Sequence, residues 1–434
     1  MNHKVEFQQR RNKLLSVMGE GVAIIPTSPE VIRNRDCHYL YRFDSYFYYL
    51  TGFVEPDSVL VLLAGDTPKS ILFCRNKDIE REIWDGFRYG AEAVKSEFDF
   101  DEAYCINELD AVVLKLLANQ TKLFFSLGES VSWDTRAMGW MNELRSQARS
   151  GVHVPDYVTD VRQLIDEIRL FKSPFEIDLM RRSANIAVQA HNRAMRFSKP
   201  NMMEYQVEAE FLHEFCRNGA QAPAYTSIVA GGVNACTLHY NANNSRLING
   251  DLLLIDAGCE LDGYASDITR TFPINGKFSA VQKDVYELVL ASQLAAIAEV
   301  NTKNNWNSPH EAALDVLVQG FIDMKLCKGS KDAVLATGDY RQFYMHRTGH
   351  WLGLDVHDAG EYKDKQNNWR MLEPNMTLTV EPGCYIRPAE NVPKVFWNIG
   401  IRIEDDVLVT QDGCEVLTKD AVKSVADIES LMKN

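Results

Sequence analysis

Leu252–Pro273, which reads L-L-L-I-D-A-G-C-E-L-D-G-Y-A-S-D-I-T-R-T-F-P, constrains the fold of this chain more than any other stretch. Leu252–Ile255 is a short apolar run of the kind that makes a buried strand, and it delivers Asp256 at its end. A turn with Gly258 and Gly263 follows. Asp267 then stands beside Ile268, Thr269 and Thr271, which favour a second strand. Two carboxylates eleven residues apart, each beside an apolar strand, are costly to bury unless a cation or several donors compensate them. The rest of the chain has to supply that compensation.

At 434 residues the chain is too long for one ordinary core, so two domains are expected. Up to about residue 160, helices and strands alternate: helix Glu6–Met18, strands at Gly21–Ile25, Ser58–Leu63 and Ser70–Phe73, helix Leu109–Leu117, strand Lys122–Ser126 and helix Thr135–Ser150. That pattern makes a small α/β domain without a nucleotide-binding glycine motif. Tyr39–Phe53 is aromatic-rich and mixes strand propensity with an irregular pattern. Asp160–Phe171 is an amphipathic helix broken by Lys172-Ser173-Pro174, where Ser173 and Glu176 form a capping-box pattern and Pro174 takes the first helical position. The boundary is placed there, giving domains 1–171 and 172–434. The second domain reads as α+β, with strands at Ser227–Gly231, Leu252–Gly258, Thr377–Val380 and Ile401–Thr410.

A formal charge of −14 argues against nucleic-acid or anionic-membrane partners. Nine scattered cysteines with no C-x-x-C pair argue against a disulfide scaffold or Cys-rich zinc site. The first residues lack the apolar segment of a signal peptide, and no 18-residue apolar run occurs, so a cytoplasmic protein is expected.

Downstream of the aspartate pair come M-H-R-T-G-H-W-L-G-L-D-V-H-D, with His346, His350 and His357, then T-L-T-V-E-P-G-C-Y with Glu381, and G-I-R-I-E-D-D-V-L-V-T with Arg402 and Glu404. Each acid follows or lies within a β-branched strand. Arg402 and Glu404 alternate along one strand and so share a face. Four such carboxylates plus one imidazole suit two divalent ions close together. Carboxylate-rich ligation favours manganese, with cobalt, iron or zinc as alternatives.

In this order and spacing, L-I-D-A-G-C-E, D-I-T-R-T-F-P, H-W-L-G-L-D-V-H-D, T-V-E-P-G and G-I-R-I-E-D-D resemble the Xaa-Pro aminopeptidases (aminopeptidase P) of peptidase family M24, within the "pita-bread" superfamily of creatinase, prolidase and methionine aminopeptidase. The similarity extends from Phe7 through Y-F-Y-Y-L-T-G-F and E-I-R-L-F-K-S-P-F-E-I to the end. The resemblance implies a creatinase-like, ribonuclease H-like α/β N-terminal domain followed by an α+β pita-bread domain. It implies metal ligands at Asp256, Asp267, His350, Glu381 and Glu404, with Asp267 and Glu404 bridging both ions. His239, His346, His357 and Arg402 match catalytic or substrate-contacting positions. Trp84 matches an aromatic that reaches from the first domain toward the active site. A tetramer built as a dimer of dimers, or a dimer, is implied likewise. Arg347-Thr348 departs from the small or apolar residues of that family and alters the pocket rim without changing ligand spacing. His191 and His310 show no partner pattern, and Cys259 reads as a small buried hydrophobe.

The function implied is hydrolysis of the first peptide bond when proline is second. A hydroxide between the two ions would attack the carbonyl, His357 would polarise its oxygen, Glu381 would move the proton, and the free α-amine would bind on the Asp256 side. Prolidase, acting on Xaa-Pro dipeptides, is the alternative. Methionine aminopeptidase is disfavoured by the large first domain, and a non-catalytic binding or structural protein by the intact ligand set.

Overall fold

The computed structural model describes residues 3–433. The chain divides into two compact units between Arg169 and Leu170, two residues before the expected boundary.

The N-terminal unit is built on six strands: β1 (Gly21–Pro26), β2 (Val59–Ala64), β3 (Lys69–Cys74), β4 (Glu102–Cys105), β5 (Lys122–Phe124) and β6 (Tyr157–Thr159). Their spatial order is 4-3-2-1-5-6, and only β2 runs against the others. Helices cover both faces, which is why β1 and β2 read as continuous apolar runs. One face packs Val22, Ile24, Val59 and Val61 against Leu109, Val113, Trp140 and Leu144. The aromatic segment expected to be partly strand instead contains a helix, Ser45–Thr51. The Asp44 carboxylate caps it by accepting from the Phe47 N–H at 2.8 Å, and Gly52 ends it in the left-handed conformation.

The second unit begins with Leu170, and its first long helix, Pro174–Phe197, has the expected capping box of Ser173 and Glu176. Its strands are β7 (Ile228–Gly231), β8 (Leu252–Asp256), β9 (Thr269–Pro273), β10 (Thr377–Val380), β11 (Gly383–Ile386), β12 (Ile399–Arg402), β13 (Asp405–Thr410) and β14 (Gly413–Val416). They form the sheets 7-8-9 and 10-13-14 and the pair 11-12. Three shorter strands, Ala222–Pro223, Cys259–Leu261 and Tyr264–Ala265, form another small sheet. Helices Ala280–Ala298 and Ser308–Asp323 pack on each other, and the main core joins them to Val229, Leu253, Ile255, Phe272 and Ile401.

Two expected strands are shorter than the sequence suggests. Strand β8 stops at Asp256, because Gly258 runs so close to the Ser266 carbonyl that any side chain would overlap it. Ile401–Thr410, expected to be continuous, is cut at Ile403–Glu404. The opposing segment is cut at the same level, at Glu381-Pro382, where proline has no N–H to give to a ladder. Backbone groups at both breaks turn to neighbouring loops: the Glu381 N–H donates to Thr348 O at 2.8 Å and the Glu404 N–H to Thr269 O at 3.1 Å.

Candidate metal centre

These strand breaks place the acids. Asp256 ends β8, Asp267 precedes β9, Glu381 follows β10, and Glu404 lies between β12 and β13. His350 sits on the loop beside β10, where its N–H donates to Thr379 Oγ1 and its carbonyl accepts from Thr379 N. Nine of the ten residues singled out from sequence line one pocket of about 490 Å³: His239, Asp256, Asp267, His346, His350, His357, Glu381, Arg402 and Glu404. The tenth, Trp84, belongs to the N-terminal unit and is 82% exposed, which excludes simple core packing. Arg402 and Glu404 both reach the pocket, but Arg402 from the end of β12 and Glu404 from the break after it rather than from one continuous strand.

Ligand atoms of Asp267, His350 and Glu404 all lie within 4.8 Å of one another. His350 Nδ1 lies 2.9 Å from the Trp351 carbonyl. A carbonyl only accepts, so that nitrogen carries a proton, while Nε2 lies 3.4 Å from Asp267 and 3.8 Å from Glu381. Burial lowers this imidazole, but the two carboxylates override it and raise it to about 9, so without a cation Nε2 is protonated too; a bound cation would take its lone pair instead. Tyr225 was not anticipated. Its hydroxyl is 2.6 Å from Asp256 Oδ1 and 2.5 Å from Asp267 Oδ1. A phenol has one proton to donate, so it satisfies one of the two acids, and the other contact needs either a proton on that acid or a cation beside it. Burial pushes Glu404 and Asp267 above the usual carboxylate range, and the neighbouring acids push them further. Burial lifts Glu381 to about 7 even though His350 and Arg402 oppose it. Four crowded acids with an oriented imidazole are a donor set that divalent cations fit.

Around this cluster runs a polar frame. Arg402 donates from Nη2 to Asp256 Oδ2 at 2.5 Å, from Nη1 to Tyr385 Oη at 3.0 Å and from Nε to Thr269 Oγ1 at 3.0 Å. Thr269 in turn donates to Glu404 Oε2 at 2.6 Å. Tyr385 Oη stands 2.9 Å from His346 Nε2, while His346 Nδ1 faces the Arg347 carbonyl at 2.7 Å. Burial, with the Arg402 charge, lowers His346 to about 4, so it is neutral. Burial and the His350 charge also lower His357, whose ring meets His350 edge-on at 4.4 Å. His310, unassigned from sequence, supports the same loop: its Nδ1 is 2.8 Å from Thr348 Oγ1, and Tyr344 Oη is 2.6 Å from that oxygen. Tyr385 was within reach of sequence reasoning because it ends the T-V-E-P-G-C-Y stretch. Tyr225 and His310 carried no such signal.

Residues 178–411 match metallopeptidase family M24, and residues 7–124 match the aminopeptidase P N-terminal domain. The chain is 44% identical over 432 residues to the Xaa-Pro aminopeptidase of Haemophilus influenzae, covering 99% of this chain and 97% of the relative. It is 43% identical to that of Escherichia coli, covering 98% and 97%. Among solved structures, aminopeptidase PepP of Pseudomonas aeruginosa superposes with a TM-score of 0.97 at 47% identity, covering 99% of this chain and 98% of that one. Zinc-substituted Escherichia coli aminopeptidase P in complex with product gives 0.96 at 42% identity, with the same coverage.

Proposed function

This chain belongs to metallopeptidase family M24 and carries the N-terminal domain of aminopeptidase P, and from that premise we propose that it removes the first residue from peptides whose second residue is proline. The observation that carries the reading is the convergence of Asp267, His350 and Glu404 on the floor of one pocket. Asp256, Asp267, His350, Glu381 and Glu404 would hold two divalent ions, manganese first, with cobalt, iron or zinc able to substitute. Such ions supply positive charge that polarises a carbonyl and acidifies water near neutral pH.

The chain's own groups then have distinct tasks. Glu381, which lines the same pocket as the other acids, takes a proton from water and returns it to the proline nitrogen, general acid–base work that needs a carboxylate within hydrogen-bond reach of the reacting atoms. Arg402 pairs with Asp256 and aims its carboxylate, and through Tyr385 it fixes the ring of His346. His239 and His357 stand exposed on the pocket wall, where the neutral His357 can donate to the carbonyl oxygen as charge develops there. Leu238 and Val356 give the pocket apolar surface for the rigid proline ring. Trp84 as a substrate-contacting aromatic, a homotetramer or dimer, and a cytoplasmic location rest on the resemblance and composition. Among the described residues no helix is long and apolar enough to cross a membrane.

The test is an assay of X-Pro-Y tripeptides beside X-Pro and X-Ala-Y, with metal removed and manganese then restored. Tripeptide turnover should vanish and return. Its absence in both conditions overturns the reading, and turnover confined to X-Pro dipeptides would make the enzyme a prolidase. The names of the similar proteins favour the aminopeptidase.

A further inference from the structure

The pocket has a charge gradient that the hydrolytic scheme does not use. Its floor is acidic, and the cationic side chains among its lining residues have different fates. Arg402 is buried and spent on Asp256. Arg347 is exposed on the pocket wall and forms no salt bridge among the described residues. Two neutral contacts hold it in place. Its Nη2 donates to Asn307 Oδ1 at 2.5 Å, and its guanidinium carbon lies 4.9 Å from the centre of the Trp369 ring. Asn307 is fixed in turn by donating to Glu311 Oε1 at 2.6 Å. Lys363 lies 4.3 Å from the same Trp369 ring, so a second cation stands close by. A guanidinium stacked on an aromatic ring keeps its planar fork of donors available, and that fork matches a carboxylate.

We propose that Arg347 is a substrate-selecting residue that binds a carboxylate on the leaving side of the scissile bond. The carboxylate is either the C-terminus of a short peptide or an acidic side chain at the third position. The inference deepens the aminopeptidase reading and rests on it. A peptide cut after its first residue presents its amine to the floor, where the proposed ions would offset the charge of the acids, and a carboxylate further along reaches the wall. The cation there has no carboxylate of its own among the described residues and favours a short zwitterion lying amine-inward.

The test compares Ala-Pro-Leu with Ala-Pro-Leu-amide, and Ala-Pro-Glu-Ala-amide with Ala-Pro-Gln-Ala-amide, in wild-type, Arg347→Met and Arg347→Lys enzymes with manganese restored. In the wild type, kcat/KM for the carboxylate-bearing member of at least one pair should exceed that of its partner by about fivefold, mainly through KM, as a charge-assisted pair on an exposed arginine allows. Arg347→Met should bring that ratio close to one, and Arg347→Lys should restore part of it. The first pair reports a C-terminal carboxylate and the second a side chain. A ratio that Arg347→Met leaves unchanged overturns the inference while leaving the aminopeptidase intact, because both members are still cut. If no penultimate-proline peptide is cut, the aminopeptidase reading fails, and calorimetric Kd values for Pro-Leu against Pro-Leu-amide decide the matter separately. Tighter binding of Pro-Leu that disappears in Arg347→Met supports carboxylate binding, and equal values overturn it.

Discussion

Glu404 and Asp405 are consecutive, both buried, and opposite in fate. Successive residues of an extended segment face opposite sides, so Glu404 looks into the pocket and Asp405 into the protein behind it. Asp405 receives Arg270 at 2.6 Å on Oδ1 and Lys423 at 2.6 Å on Oδ2, and Thr418 and Gln293 each donate to it at 2.7 Å. Burial works to raise this acid, but the charges of Arg270 and Lys423 override it and hold the group at about 2. Glu404 has the Thr269 hydroxyl and, beyond that, other acids, and it is driven the other way. A buried carboxylate that the protein satisfies itself belongs to the architecture. One left among its own kind is the kind of group that the proposed cation would satisfy from outside.

The largest effect that would break this contrast is on the unsatisfied side. Asp267→Ala should lower kcat/KM by more than the ~100-fold typical of losing a group that only supports a ligand. It should cost little stability without metal, since it removes a buried charge from among like charges. Manganese at 100 times its Kd should stabilise the wild type by about 2.7 kcal/mol, and the variant much less, as read from thermal unfolding. A variant that stayed active, or gained as much from manganese, would dissolve the distinction. On the satisfied side, Asp405→Ala leaves Arg270 buried without its carboxylate and should cost about 3–5 kcal/mol in urea unfolding. A loss within experimental error would make the network incidental.

The smallest effect comes from a buried group with neither role. His191 Nε2 donates to the Ala257 carbonyl at 2.9 Å, while Nδ1 is buried with no partner among the described residues. Burial lowers this imidazole from 6.5 to about 3. As pH falls below 6.5 the unfolded chain takes the proton first, so stability is full above that value and declines down to about 3. The decline should reach about 2 kcal/mol near pH ~5. His191→Gln should flatten that part of the stability–pH curve, and an unchanged slope would show that other groups set it.

Sequence carried the acids well because each sits at a strand end next to glycine or proline, and such punctuation is local. It carried the Asp405 network poorly. Alternation says that Asp405 faces away from Glu404, but nothing in I-E-D-D says that Arg270, 135 residues earlier, waits there. The break in Ile401–Thr410 was hidden for a related reason: its β-branched residues suit a strand throughout, and the interruption depends on Pro382 across the sheet. The Ser45–Thr51 helix was obscured because aromatic residues favour strands, and the Asp44 cap and Gly52 stop outweighed that preference. Tyr225 is a lone tyrosine in A-Y-T-S, and only folding sets it between two aspartates.

The network behind Glu404 also bears on how the enzyme is made. Arg270 is anchored on the Ala421 carbonyl, and Asp405 on Thr418 and Lys423, so the segment 418–423 closes the underside of the site. Asp256 and Asp267 leave the ribosome more than 150 residues before that segment does. A nascent chain therefore displays its first two acids long before it has the means to hold Glu404 in place. On the proposed reading, metal capture at the finished geometry waits for residues 418–423, and a chain that stops just before them should carry all five proposed ligands without a stable centre.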